Sequence, residues 1–321
     1  MNFTAHVNPS VKEKEAIRHL RNVFKNELEM NPEIDTAWYL LRFYRARGGN
    51  LDKVEDMLKE FFEWRNGMKK RNVQLRPKED FDEIKKIHAR GLYGTDKAGR
   101  PVSIDLLHQT DLIAFLSPKF DDIREDYIYM MKERSLHITL PIASKQANRR
   151  IDSIFLIYDM KGVDISKLFD SKFKEFVRFL IRTAQSNYPE ILGKMFIINA
   201  SFSFRMTWNV IKLWMNKVTR DKIEVHAGCP LDKLAQYMDK DKIPSFLGGP
   251  CQIPLSDNHG PWKPYLEEAF QNKSFFLNDR EPEYEYFYTK EEKKKVLKKI
   301  TQPQSQYFIP KPEDLYQHNY H

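Results

Sequence analysis

Between residues 154 and 225 the chain repeats one pattern: a short apolar run, an amphipathic stretch at helical period, then another apolar run. Residues 154–158 and 195–198 are continuously apolar, which suits strands covered on both faces, as in a parallel sheet. Between them Phe169, Phe173, Phe176, Val177, Leu180, Ile181 and Ala184 share one helical face, which makes a β-α-β crossover. This alternation confines the segment to an α/β fold. The second helical stretch is unusual. Arg205, Asn209, Lys212 and Asn216 form one narrow polar stripe at i, i+4, i+7 and i+11, while Met206, Trp208, Val210, Ile211, Leu213, Trp214 and Met215 fill the rest. So much apolar circumference must meet core, lipid or a partner.

Upstream, residues 11–70 read as helices alone: Ala16, Ile17, Leu20, Val23, Phe24 and Leu28 make one face, and Val54, Met57, Leu58, Phe61 and Phe62 another. A helix over 38–47 is expected to stop at Gly48-Gly49, with Asn50 placed to cap the next. Residues 71–80, polar and containing Pro77, read as a linker. Residues 93–95 and 102–105 then flank a loop at 96–101, whose Gly99 and Pro101 suit a turn between extended segments. The expected domains are 1–75, a helical module; 76–255, the α/β domain; and 256–321, a tail with Tyr284, Tyr286, Phe287 and Tyr288 followed by a charged run.

Lys and Arg number 53 against 45 acids, a net charge of +8, with pI near 9.1. The basic excess concentrates where the apolar helix lies: Lys194, Arg205, Lys212, Lys217, Arg220 and Lys222 face only Asp221 across residues 191–222, a combination suited to an anionic membrane surface. Cys229 and Cys251 make no disulfide framework or zinc-ligand spacing, which fits a reduced, cytoplasmic setting. The first residues carry no secretory pattern, no window approaches about 20 apolar residues, and neither terminus carries a lipidation motif, so membrane contact is expected to be peripheral. No Gly-x-Ser-x-Gly elbow, phosphate loop or dinucleotide fingerprint occurs. Asp159, Asn199 and His226, each just past a strand, are the one candidate catalytic set, ranked last. No enzyme activity, metal, redox cofactor or nucleic-acid contact is expected.

The fragments Leu40-Leu41-Arg42-Phe43-Tyr44-Arg45-Ala46-Arg47, Glu63-Trp64-Arg65, Asp96-Lys97-Ala98-Gly99-Arg100-Pro101-Val102, Asp159-Met160-Lys161-Gly162, Asn187-Tyr188-Pro189-Glu190, Phe196-Ile197-Ile198-Asn199-Ala200 and Phe246-Leu247-Gly248-Gly249 stand in fixed order. Together, across residues 12–253, they resemble the CRAL-TRIO family of lipid-transfer proteins, in particular its yeast-type phosphatidylinositol/phosphatidylcholine transfer branch. The resemblance implies an N-terminal helical tripod, then a lipid-binding domain with a mainly parallel sheet, an apolar cavity and a mobile gate helix, here residues 204–217. It also implies a monomer that exchanges phospholipid at anionic membranes and presents it to lipid-modifying enzymes such as a lipid kinase.

Carried over position by position, the inositol-lipid head group would meet Arg47, Asp96, Glu190, Thr219 and Lys222. Cations can neutralise its phosphodiester and the others can hydrogen-bond its hydroxyls. Ile154, Leu156, Met206, Val210, Ile211 and Trp214 would line cavity and gate; Lys212, Lys217 and Trp208 would dock on the membrane. Two departures bear on ligand choice. Gly48 replaces a family lysine, and Ile154 and Leu156 replace the hydroxyl residues that serve phosphatidylcholine, so a second ligand should be more apolar. Rival readings are a carrier of one hydrophobic ligand, such as a tocopherol, retinoid or sterol, and a protein-interaction module.

Overall fold

Alternate residues along each central strand commit to opposite faces of one five-stranded sheet in the order β1-β2-β3-β4-β5. The computed structural model describes residues 9–31, 34–70, 81–163, 171–255 and 260. The expected linker at 71–80, Phe169 and the tail at 256–321 lie outside the described residues. The described residues fall into two compact units, 9–70 and 81–260.

In the first unit, α1 (Val11–Val23), α2 (Lys25–Met30), α3 (Ala37–Ala46) and α4 (Leu51–Lys70) pack through Ile17, Leu20, Phe43, Val54, Leu58 and Phe61, all buried. Ser10 opens α1 with a capping box closed by Glu13, Thr36 accepts from Tyr39 N at the start of α3, and Asn50 accepts from Lys53 N at 3.0 Å ahead of α4. The double glycine ends α3 as expected, with Gly49 at φ +78° and a Cβ there meeting the Tyr44 hydroxyl at 2.9 Å.

The second unit begins with α5 (Asp82–Ile87), then β1 (Arg90–Thr95) antiparallel to β2 (Pro101–Leu106). After α6 (Leu112–Phe115), α7 (Asp121–Arg134) runs through a π-helical turn, Ser135–Thr139, into α8 (Leu140–Ala147). Next come β3 (Ile154–Asp159), α9 (Ser171–Ser186), β4 (Leu192–Ile198), α10 (Phe202–Ile211), α11 (Lys217–Asp221), β5 (Ile223–Val225) and α12 (Leu231–Tyr237). Strands β2 through β5 are all parallel.

The apolar helix is not one element over 204–217. After α10 the chain tightens into a 3-10 turn, Lys212–Trp214, and extends at Met215; Asn216 then caps α11 by accepting from Thr219 N at 2.8 Å. The capping asparagine forces the break, because an N-cap residue leaves helical geometry.

The two sheet faces are packed differently. On one, Val102, Ile104, Phe155, Ile157, Phe196 and Ile198 meet Leu234 of α12, Met238 and Leu247 in a closed core. On the other, Leu156, Met195, Ile197, Phe204 and Ile211 are buried, but Tyr158, Phe173, Val177, Ile181, Trp208 and Met215 around them stay partly open. Although α9 carries its apolar residues on one face, among them only Phe179 is buried.

Candidate functional site

The open face follows cross-strand rows. Register places Arg90 opposite Asp105, Asp105 beside Tyr158, Tyr158 beside Ile197 and Ile197 beside Val225. A neighbouring row runs Leu92, Ser103, Leu156, Met195, Ile223. The floor is therefore apolar beneath α9 and α10 and polar toward β1 and β2. Beside it a pocket of about 900 Å³ opens between α7 and α9, lined by the apolar Leu116, Phe176, Phe179 and Ile181 together with Arg124, Arg182 and other charged groups. Trp214 reaches it, with the Arg178 guanidinium 4.4 Å over its ring. Such a volume falls within the range of small-molecule sites.

Glu190 and Lys222 meet at the N-terminal ends of β4 and β5, Glu190 Oε2 accepting from Lys222 Nζ at 2.9 Å. Glu190 is held at φ +60°, a left-handed conformation that a glutamate adopts at a cost of about 1–3 kcal/mol. Thr219, partly buried, sits on α11 one turn before Lys222, whose N–H donates to its carbonyl at 3.2 Å. These three residues thus cluster, at the end of the sheet opposite to Asp159, Asn199 and His226.

Asp96 is placed otherwise than the sequence suggested. Its buried carboxylate accepts from Ala98 N at 2.9 Å and Arg100 N at 2.8 Å, and pairs with the Arg100 guanidinium at 2.6 Å. Burial pushes its pKa up against those bonds. Both oxygens hold the 96–101 turn together, so in this conformation Asp96 has nothing left for a ligand. Arg47, the C-cap of α3, belongs to the first unit.

On the apolar segment, Ile211 and Phe204 point inward, and Trp208 is half-buried with its ring stacked on Phe204 at 6.5 Å. Met206 and Val210 face outward, 57% and 54% exposed, in line with Phe202 and Leu213 at 71% and 68%. The outward stripe is therefore Phe202, Met206, Val210, Leu213, a spacing visible in the sequence whose direction was not. Lys217 is exposed, bonded to Asp221 at 2.6 Å, and Lys212 bonds Asn209 at 2.8 Å. Ile154 and Leu156 are both buried on β3.

Asp159 Oδ1 accepts from Lys161 N at 2.9 Å and Asn199 Nδ2 at 2.7 Å, which closes the turn after β3 and fixes Asn199 at φ +53°. His226 packs on the Phe196 ring at 5.1 Å and stands 3.2 Å from Glu224. Burial works to raise the Glu224 pKa, but hydrogen bonds from Lys194 and Lys233 outweigh it and draw it down to about 2. Among the described residues no three His, Cys, Asp or Glu side chains could hold a metal, and no helix is long and apolar enough to cross a membrane.

The polar end of the floor was absent from the sequence reading. Arg90 donates to Ser103 Oγ at 3.1 and 3.0 Å and stands 3.5 Å from Asp105, which also contacts His88 Nε2 at 3.1 Å. Lys132 of α7 lies beside them; burial, then Arg90, push its pKa down to about 8, with Asp105 opposing. Burial likewise lifts the Tyr158 phenol above its usual range, Asp105 adding to the rise. Both side chains nonetheless keep part of their surface exposed.

Comparison with known proteins agrees with this architecture. Residues 86–249 match the model of the CRAL/TRIO domain. The chain is 33% identical over 242 residues to the phosphatidylinositol/phosphatidylcholine transfer protein SFH12 of Arabidopsis thaliana, covering 73% of this chain and 44% of that protein. It is 32% identical to SFH7, similarly described, from the same plant (77% and 46% covered), and 30% identical to Protein real-time of Anopheles gambiae (73% and 34%). It thus spans under half the length of these relatives. The crystal structure of Sfh5 superposes with a TM-score of 0.58 at 17% identity, over 82% of this chain and 99% of that one, a likeness of fold. With a matching family model over half its length, on a mainly parallel sheet with N-terminal helices, the chain belongs to the CRAL/TRIO domain family.

Proposed function

We propose that this protein binds a phosphatidylinositol-type phospholipid, moves it between membranes and presents it to lipid-modifying enzymes, a lipid kinase among them. The carrying observation is the unequal packing of the sheet: one face closed, the other roofed by helices whose apolar residues stay partly open. A folded chain that leaves this much apolar surface unpacked forgoes roughly 25 cal/mol per Å², which acyl chains would recover on binding. The names of the plant relatives support the same ligand class.

In this reading the head group sits at Glu190, Thr219 and Lys222, the ion pair opening so that Lys222 meets the phosphodiester and Glu190 an inositol hydroxyl. The mutual bond keeps either charge from being stranded in the empty state, and as a pair that solvent still reaches it costs little to break, about 0–1 kcal/mol. Asp96 acts through its turn rather than on the ligand. The outward stripe on α10, flanked by Arg205, Lys212 and Lys217, docks peripherally on anionic bilayers, and the protein works as a cytoplasmic monomer. Nothing in this task calls for catalysis or a cofactor.

The test is transfer of fluorescent phosphatidylinositol between vesicles. Glu190→Ala with Lys222→Ala is expected to abolish transfer with an unchanged melting profile; undiminished transfer would remove this head-group site.

A further inference from the structure

The pocket between α7 and α9 takes no part in the proposed exchange of lipid, and its two ends differ in chemistry. At the start of α7, Arg124 pairs with Asp121 at 2.7 Å and donates to the carbonyls of Phe115 and Ser117 at 2.7 and 2.8 Å, so this guanidinium is already engaged. The Phe115 ring stands 5.4 Å from that of Phe176, which sets the same end of the pocket beside Glu175. The acids of the lining, Asp121, Glu125 and Glu175, gather there. Further along α9 the lining continues with Arg178, Arg182 and Ser186, at i, i+4 and i+8, on successive turns of one helix face. Among the described residues no acceptor bonds any of these three side chains; Arg178 makes only its contact 4.4 Å over the Trp214 ring. Gln185 holds that indole in place, donating to Trp214 O at 3.4 Å and accepting from Asn216 N at 2.7 Å. Guanidiniums on neighbouring turns repel, and an anion lodged between them converts that repulsion into two attractions.

The donors decide which anion. Two planar guanidinium forks and a hydroxyl at one place call for an acceptor rich in oxygens. A phosphomonoester offers three acceptor oxygens and close to two charges at pH 7, whereas a carboxylate offers two oxygens and one charge. What carries the phosphate must be apolar, because Phe176, Phe179 and Trp214 line the same cavity of about 900 Å³. We propose that Arg178, Arg182 and Ser186 bind the terminal phosphate of a membrane lipid of the phosphatidic acid type, with the start of its hydrocarbon on Phe176, Phe179 and Trp214, at a site separate from Glu190, Thr219 and Lys222. A bilayer is the source because Trp214 directly follows Leu213, the last residue of the outward stripe; this part of the inference rests on the docking reading. The basic flank of that stripe attracts any anionic surface by charge, and the pocket adds selection for one head group.

The first measurement is binding of the full chain at pH 7 to phosphatidylcholine vesicles that carry equal charge as either phosphatidic acid or phosphatidylserine. Wild type is expected to favour phosphatidic acid by about tenfold or more, the usual worth of one charge-assisted hydrogen bond. Arg178→Gln with Arg182→Gln should erase the preference and keep most of the phosphatidylserine affinity, which also reports that the variant is folded. Equal binding of both vesicles by wild type, or a preference that survives the double substitution, would overturn the site. Binding to neither would overturn the docking reading, and a soluble probe then still tests the pocket. Oleoyl lysophosphatidic acid without vesicles should shift the indole emission of wild type and not that of Trp214→Phe, while glycerol phosphate at the same concentration leaves both unchanged. An absent shift with the lyso lipid would overturn the site, and an equal shift with glycerol phosphate would assign the pocket to a soluble phosphate ester and overturn the lipid.

Discussion

Burial pushes the pKa of the Lys132 ammonium down to about 8, so its charge should be a burden to the protein, and removing that charge should stabilise the fold. A fall from the ordinary 10.5 to about 8 corresponds to about 3.4 kcal/mol of charge burial at 1.36 kcal/mol per pKa step. Because the side chain keeps some exposure, solvent screening reduces this to about 1–2 kcal/mol in practice. Methionine preserves most of the stem's packing, so Lys132→Met isolates the charge. The pH dependence fixes the cause. The unfolded lysine binds its proton more tightly than the folded one, so the burden is full below pH 8, declines between 8 and 10.5, and is absent above. Urea unfolding of delipidated wild type and variant at pH 7 and at pH 10.8 should show a gain of about 1–2 kcal/mol at the lower pH and near zero at the higher. A variant less stable at pH 7, or equally stabilised at both, would mean that Lys132 is satisfied in the empty protein.

Unequal packing of the two sheet faces predicts unequal mutational costs for the same substitution. Ile157→Ala, in the closed core, should cost about 3–4 kcal/mol, while Ile197→Ala, on the chamber floor, should cost nearer 2 in the delipidated protein; equal losses would argue that both faces are solid. Gln185 of α9 bonds the backbone at both ends of the bend after α10, donating to Trp214 O at 3.4 Å and accepting from Asn216 N at 2.7 Å, so Gln185→Ala should speed lipid exchange several-fold, read as the rate of vesicle-to-vesicle transfer. Phe202→Ser with Leu213→Ser should cut partition onto anionic vesicles by about tenfold or more, from about 1.5–3 kcal/mol per apolar side chain removed, with no change in melting; unaltered partition would place docking elsewhere. Glu224 holds a pKa of about 2 against an ordinary 4.5, so its stabilising effect is present above pH 4.5 and lost on acidification toward 2; Glu224→Gln should cost about 1 kcal/mol at pH 7 and nothing near pH 2 by urea unfolding, after allowance for its partial exposure.

Local signals carried far in this chain. Continuous apolar runs marked β3 and β4 and period-3.6 patterning marked α9, the Gly48-Gly49 stop and the Asn50 cap appear where the residues put them, and Asp96 to Pro101 make a turn between strands. Such features depend on neighbours a few residues apart, and chain chemistry alone specifies them. The break at Asn216 was legible too, as a capping residue inside an apolar run, but the run of apolar residues masked it. Facing was another matter. A helix apolar around most of its surface gives no periodic clue to which side turns inward, so the sequence could assign Met206 and Val210 only to cavity or gate together, and the structure turns both outward.

The polar end of the chamber was invisible for a different reason. Arg90, Asp105 and Tyr158 become neighbours only through the register of β1, β2 and β3, and Lys132 joins them from a helix that lies between those strands in the chain. Each alone reads as an ordinary charged or aromatic residue. Sequence by itself determined the α/β architecture and the apolar segment with its basic flank, because those follow from local period and composition, and its ordered motif fragments carried the family resemblance. Tertiary structure decided which sheet face is left open, that Asp96 is spent on its own turn, and that Arg90, Asp105 and Tyr158 share one end of the floor, because burial and register are properties of groups brought together from distant parts of the chain.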